Sequence, residues 1–354
     1  MLVLVSPLMT RLYSPEEIGI YTFYLSWVNL LAPIVCTKLE MAIVTESSEN
    51  KRLAIIKVCL CLNYVLSILA TCLLGGYLFF SHSFTLYSLM YLVFFFLTLL
   101  FNGFYGIGVS YHNRYQQYEK ISKLTVQKSI WQSGLFVVLG MVHFSVIGLM
   151  LSQLISLMIV CVGQTKEIRE KRKQIQTVTV LEMKQVVKEN QKFIRYTTPS
   201  VFLNLFSYSS LTFFITDLYG AEVCGFYAMS YRLLGMPLTL ISSNVAKVFL
   251  EKATKLKENH ESCVQLLRKT TKGLLLLAVP MVMVFTVISP PLFSLVFGEG
   301  WQMAGKYVQL LAWMFGIRLV VSSLTSMLIV AKKQHVEFSI QALFAIDSII
   351  IYRY

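Results

Sequence analysis

Two arginines interrupt runs that are otherwise apolar: Arg232 inside residues 223–248 and Arg318 inside 306–330. At 1.5 Å per helical residue they lie roughly 15 Å and roughly 18 Å into those segments. A cation at that depth costs at least about 2.5–3.5 kcal/mol to insert and normally faces a bundle interior or a water-filled cavity. A guanidinium fork suits bidentate, weakly hydrated contacts to an oxyanion. The alternative use is an interhelical pair or hydrogen bonds to backbone carbonyls. Asp347, in the middle of the last apolar stretch, is a carboxylate whose desolvation would raise its pKa and let it carry a coupling proton. Lys38 and Glu40, just past Pro33, form either a local ion pair or a contact that opens and closes. Asn29, Asn63, Asn102 and Asn204 place amides in apolar helices, for interhelical hydrogen bonds or for a polar ligand. Arg11 closes the first segment, where an interface anchor is the ordinary reading. The five His are isolated near loops, and Cys36, Cys59, Cys61, Cys72 and Cys161 lie inside apolar runs. No catalytic residue, metal site or cofactor is therefore expected.

The elements that carry these residues follow from composition. Of 354 residues 56% are hydrophobic and 14% charged, against roughly 25% charged in soluble domains. The mean hydropathy is +0.65. A soluble fold of this length could not bury so much apolar surface. A membrane-crossing helix needs about 20 mainly apolar residues. Runs of that kind predict eleven segments near 1–12, 18–36, 53–80, 84–110, 124–142, 145–164, 193–216, 223–248, 273–296, 306–330 and 337–354. No cleavable signal pattern precedes them.

The net charge of +13 would suggest nucleic acid in a soluble protein. Here most of the 31 Lys and Arg fall in alternate loops: 37–52, 111–128, 165–195, 249–272 and 331–337. The positive-inside rule puts all five of these loops, and the first residue, in the cytoplasm. The longest of them, with Arg169-Glu170-Lys171-Arg172-Lys173, reads as an amphipathic connector lying on anionic headgroups. It has neither the interleaved aromatics nor a module for nucleic acid, so no nucleic-acid partner is expected.

A shift of 206 residues places Leu12, Tyr13, Glu16, Gly19 and Tyr21 on Leu218, Tyr219, Glu222, Gly225 and Tyr227, and Thr10 on Thr216. The same turn-then-helix motif thus recurs six segments later in the same orientation. Parallel repeats of this kind mark transporters whose halves rock about a central site. The expected fold is an all-α polytopic membrane protein of two pseudo-symmetric six-helix lobes around a central cavity. Its expected parts are an N-terminal lobe at 1–164, a basic linker at 165–192 and an incomplete C-terminal lobe at 193–354.

The motif PLMTRLYSPEEIG at 7–19 resembles the opening of bacterial polysaccharide biosynthesis proteins, the O-unit flippases of the multidrug/oligosaccharidyl-lipid/polysaccharide exporter superfamily. KLEMAIV at 38–44 is similar to that family's basic-aromatic-Glu-x-Ala-Ile stretch, with Leu39 in the aromatic place. YTTPS at 196–200 with Asn204, Gly225-Phe226-Tyr227 through Pro237-Leu238, and FGEGWQMAG at 297–305 resemble later signatures. The resemblance implies at least twelve helices, so this chain is expected to lack the start of the first and all of the twelfth.

It also implies a function: an oligosaccharide on undecaprenyl diphosphate is moved from the cytoplasmic to the outer leaflet of a bacterial inner membrane by alternating access. An ion gradient, of protons or sodium, would drive it. Arg232, Arg318, Asn204 and Arg11 become the expected substrate-binding residues, and Lys38, Glu40 and Asp347 the expected gating or coupling ones. Implied partners are the lipid-linked oligosaccharide, membrane lipids, and a polysaccharide polymerase or glycosyltransferases. A peptidoglycan-precursor flippase would share this chemistry. A multidrug pump exporting cations would favour acids over two mid-span arginines. A membrane polymerase or acyltransferase would need a long outside loop, and the outside loops here are short.

Overall fold

The computed structural model describes residues 2–80, 86–258 and 262–325, with Met327, Ser339, Ile340, Leu343, Ile346, Asp347, Ile350 and Tyr352. Among them are twelve α-helices and no strand: α1 Leu2–Leu12, α2 Pro15–Leu31, α3 Glu40–Thr45, α4 Glu49–Phe80, α5 Leu86–Arg114, α6 Tyr118–Met141, α7 Ser145–Glu170, α8 Arg172–Thr177, α9 Val180–Glu189, α10 Thr198–Glu258, α11 Val264–Phe297 and α12 Gln302–Leu324. The chain is an all-α polytopic membrane protein. Among the described residues, six helical stretches are long and apolar enough to cross a bilayer: Glu49–Phe80, Ser88–Arg114, Ser145–Glu170, Phe193–Ala253, Val264–Phe297 and Glu299–Leu324. The fourth of these is broken at Gly220, whose φ of 86° is left-handed. Glycine reaches that region without a Cβ clash. The apolar runs therefore locate the helices, but several helices extend past them at the basic ends, α6 from Tyr118 and α11 from Val264. Charged residues there continue the backbone hydrogen-bond ladder outside the apolar layer. Lys332 and Lys333, and most of 337–354, lie outside the described residues.

Contacts divide the chain into two units. The first is Phe23–Phe213. In it the fully buried Asn63 of α4 donates from Nδ2 to the Leu100 carbonyl of α5 at 2.9 Å. Gly103 makes room: a Cβ there would stand 2.0 Å from Asn63 Oδ1. An amide hydrogen bond combined with a small residue is how apolar helices approach closely where lipid leaves no hydrophobic drive between them. Tyr24 is likewise buried, its hydroxyl 2.6 Å from Thr98 Oγ1.

The basic segment expected as a linker packs within this first unit. It completes α7, then folds as α8 and α9 along α4. Thr179 caps α9 by accepting from Glu182 N, while the Glu182 carboxylate accepts from Thr179 N at 2.7 Å. Ile175 and Val186 are the buried residues of α8 and α9. The Lys57 ammonium of α4 donates to the carbonyls of Gln176 at 3.1 Å and Val178 at 2.7 Å, and so holds the turn between α8 and α9. Lys51–Glu189 at 2.8 Å and Lys171–Glu49 add two further ties to α4.

The second unit is Leu2–Thr22 with Phe214–Tyr354. Ser14 and Glu17 form the capping box that starts α2: Ser14 N donates to Glu17 Oε2 at 2.8 Å and Glu17 N to Ser14 Oγ at 3.2 Å. The two copies of the repeated motif cross here at their glycines. A Cβ on Gly19 would lie 1.7 Å from the Ala221 carbonyl oxygen, and one on Gly225 would lie 1.9 Å from the Pro15 carbonyl oxygen. Positions 15 and 221, like 19 and 225, correspond under the 206-residue shift, so the contact is reciprocal. In the same unit α11 and α12 pack closely, with Gly305 against the Pro290 backbone and Gly316 against Val282.

Candidate functional site

Beyond Gly220, α10 presents a run of polar and aromatic side chains. Ser230 is fully buried and its hydroxyl lies 2.7 Å from the Ala304 carbonyl of α12, which fixes the rotation of α10 against that helix. That rotation sets where the next two residues go. Tyr231 turns to α12, where Arg318 Nη1 donates to its hydroxyl at 2.7 Å. The Arg318 guanidinium also sits 5.9 Å from the Tyr231 ring centre and 6.0 Å from that of the buried Phe315. Tyr231 is itself in edge contact with Phe315 at 5.0 Å and tilted against Tyr227 at 5.8 Å. The charge of Arg318 is thus spread over aromatic faces and a phenol.

Arg232, one residue on, turns away from this cluster. It lies about 18 Å along the helix from Gly220. Its Nη1 donates to the thioether of Met9 in α1 at 3.7 Å, a soft acceptor, and Met9 is fully buried. No carboxylate among the described residues is in ion-pair range of Arg232. A half-buried guanidinium held by a thioether alone keeps most of its donors uncommitted to protein acceptors among the described residues. Nearby, the two signature stretches meet: Trp301, which is 2% exposed, donates from its indole N–H to the Thr10 carbonyl at 3.0 Å.

The other expected residues are dispersed. Arg11 closes α1 and is exposed, and Asp347 is helical and exposed. Both belong, with Arg232 and Arg318, to the second unit; Lys38, Glu40 and Asn204 belong to the first. Asn204 is half-buried on α10 before the break. Lys38 and Glu40 do form an ion pair, 3.6 Å apart. Thr37 and Lys38 have φ of 50° and 53°, a left-handed pair of non-glycine residues that stores strain at the start of α3. Burial pushes the Glu40 carboxyl above the usual carboxylate range, against the opposing pull of its own backbone amide and of Lys38. One of its oxygens, Oε2, is buried without a hydrogen-bond partner among the described residues.

Two ionisable residues stand where the apolar pattern does not place them. Lys128, read as a loop cation, stands in the middle of α6, because the helix begins at Tyr118 rather than where the apolar run does. Its ammonium lies 5.1 Å over the Tyr105 ring. His112, read as isolated near a loop, is fully buried: Nε2 donates to the Gln164 carbonyl at 3.0 Å and Nδ1 lies 2.6 Å from Gln117 Oε1. A cleft of about 400 Å³ lies in the first unit between α4, α8 and α9, lined by Glu49, Asn50 and Glu182 among others and by none of the expected site residues.

Residues 8–306 match the family model described as polysaccharide biosynthesis protein. Among solved structures, the chain is similar to the inward-facing conformation of a multidrug resistance MATE family transporter of the MOP superfamily. The TM-score is 0.70 at 14% identity, over 99% of this chain and 84% of that one. At that identity the likeness is one of fold. A search of curated proteins finds no match.

Proposed function

The chain belongs to the polysaccharide biosynthesis protein family, and from that premise we propose that it moves a lipid-diphosphate-linked oligosaccharide across a bacterial inner membrane. The direction is from the cytoplasmic to the outer leaflet, in surface-polysaccharide assembly, with the basic loops in the cytoplasm. The observation that carries this reading is Arg232, a half-buried guanidinium deep in an apolar helix whose hydrogen bond goes only to a thioether among the described residues. A diphosphate supplies the paired oxyanions that such a fork binds.

In this reading Arg232 is the primary anion contact. Arg318, already held by Tyr231 and Phe315, supplies a second positive charge beside aromatic faces on which sugar rings can stack. Asn204 and Arg11 serve as polar contacts along the route. The Lys38–Glu40 pair, on its strained turn, breaks and reforms as the lobes 1–164 and 193–354 alternate. Asp347 is the candidate for a coupling proton or sodium ion. Glycosyltransferases that build the cargo and a polymerase that consumes it are the natural partners.

The test is Arg232→Gln in cells that depend on this gene for surface glycan. Export should fall at least about 100-fold, the scale of losing a charge-assisted bidentate contact worth about 3 kcal/mol, with the protein still in the membrane at normal level. Lipid-linked units should accumulate on the inner leaflet. Normal export would sink the reading, and accumulation of peptidoglycan precursor instead would reassign the headgroup.

A further inference from the structure

The segment joining α7 to α10 carries more positive charge than its contacts use. Its two acids are engaged, Glu189 with Lys51 and Glu182 in the capping box with Thr179, and at the end of α7 Glu167 meets Lys120 at 2.7 Å. Lys171 is spent on Glu49. On α8 and α9 Arg172, Lys173, Lys184 and Lys188 remain, all exposed, and none is in an ion pair with a described residue. Beside them α9 starts with two aliphatic side chains in the open, Val180 at 68% and Leu181 at 77% exposure. Leu181, Lys184 and Lys188 follow at three- and four-residue intervals, hence on one helical face. Val186, the buried residue of α9, is turned the other way.

We propose that this outward face of α8 and α9 docks on anionic phospholipid headgroups, and that docking braces α4. Charge complementarity names the partner. Fixed cations beside aliphatic side chains match a surface that is anionic outside and apolar beneath. A soluble polyanion would use the cations and leave Val180 and Leu181 idle. The face is also pre-organised, because Lys57, Lys51 and Lys171 clamp the inner side of the two helices to α4 before any lipid arrives. A lipid that holds α9 therefore holds α4 through bonds already made. This inference is independent of what the protein transports.

The experiment is amide hydrogen exchange on the full chain in nanodiscs of phosphatidylcholine alone and of phosphatidylcholine with phosphatidylglycerol. Exchange across 172–189 should slow several-fold in the anionic discs while α11 and α12 exchange alike in both. The combined Arg172→Gln, Lys173→Gln, Lys184→Gln and Lys188→Gln variant, all surface changes, should lose the difference. Equal exchange in the two discs overturns the proposal, and so does a difference that survives in the variant. Equal slowing in neutral discs by dissolved glycerol phosphate would assign the cations to free phosphate and overturn the bilayer as partner.

Discussion

Arg232 and Arg318 are the same side chain in opposite states. One is tethered by a phenol and two rings, the other meets a sulfur atom. Removing the tether tests the distinction: Tyr231→Phe keeps the ring and deletes the acceptor, and should lower stability by about 1–3 kcal/mol, seen as a lower Tm in detergent. Export should fall less than with Arg232→Gln. Glu40 makes a pH prediction. Its carboxyl is raised by burial, so between the ordinary carboxylate value and the raised one the folded chain binds more protons than the unfolded. Stability then falls as pH rises through that window. A carboxyl infrared band absent from Glu40→Gln should titrate above the usual carboxylate midpoint; an ordinary midpoint would remove Glu40 as a strained gate. Sequence placed both arginines in apolar helices, but could not say which was already partnered. That depends on Ser230 fixing the rotation of α10, a contact with Ala304 seventy-four positions away.

At the scale of elements, hydropathy found the apolar centres of the helices and missed their ends. Lys128 shows the cost: counted with a loop, it is in fact mid-helix, because Glu119, Lys120 and Lys123 are helical too. The break in α10 was legible as a gap between two apolar runs, and Gly220 sits in it. The glycine crossing was legible only as a repeat, since no periodicity says that two segments touch. It gives a sharp contrast. Gly19→Ala would force a Cβ into the Ala221 carbonyl and should cost about 3 kcal/mol or more, with little protein reaching the membrane. Gly134→Ala in α6, with nothing within 4 Å, should be neutral or stabilise by up to about 1 kcal/mol. Comparable membrane levels of the two variants would mean the crossing is not tight.

At the scale of the whole molecule, the charge pattern predicted membrane topology and a connector on a lipid surface. It did not predict that the connector folds onto α4, because the ties come from a lysine with no obvious partner in sequence. Lys57, near the start of α4, holds two carbonyls of the α8–α9 turn. Lys57→Met should release that turn, a loss of about 1.5–3 kcal/mol for hydrogen bonds to a charged group. Amide exchange across 172–189 should quicken while membrane level stays unchanged. Unaltered exchange would show that Ile175, Val186 and the two ion pairs secure the segment without Lys57.

The crossing of Gly19 with Gly225 has one more consequence. Residue 15 does to 225 what 221 does to 19, which is the rule of an isologous interface, the kind that identical subunits make about a two-fold axis. A motif present twice in one chain thus makes with itself the contact that two identical subunits would make, and both copies carry glycine at that joint.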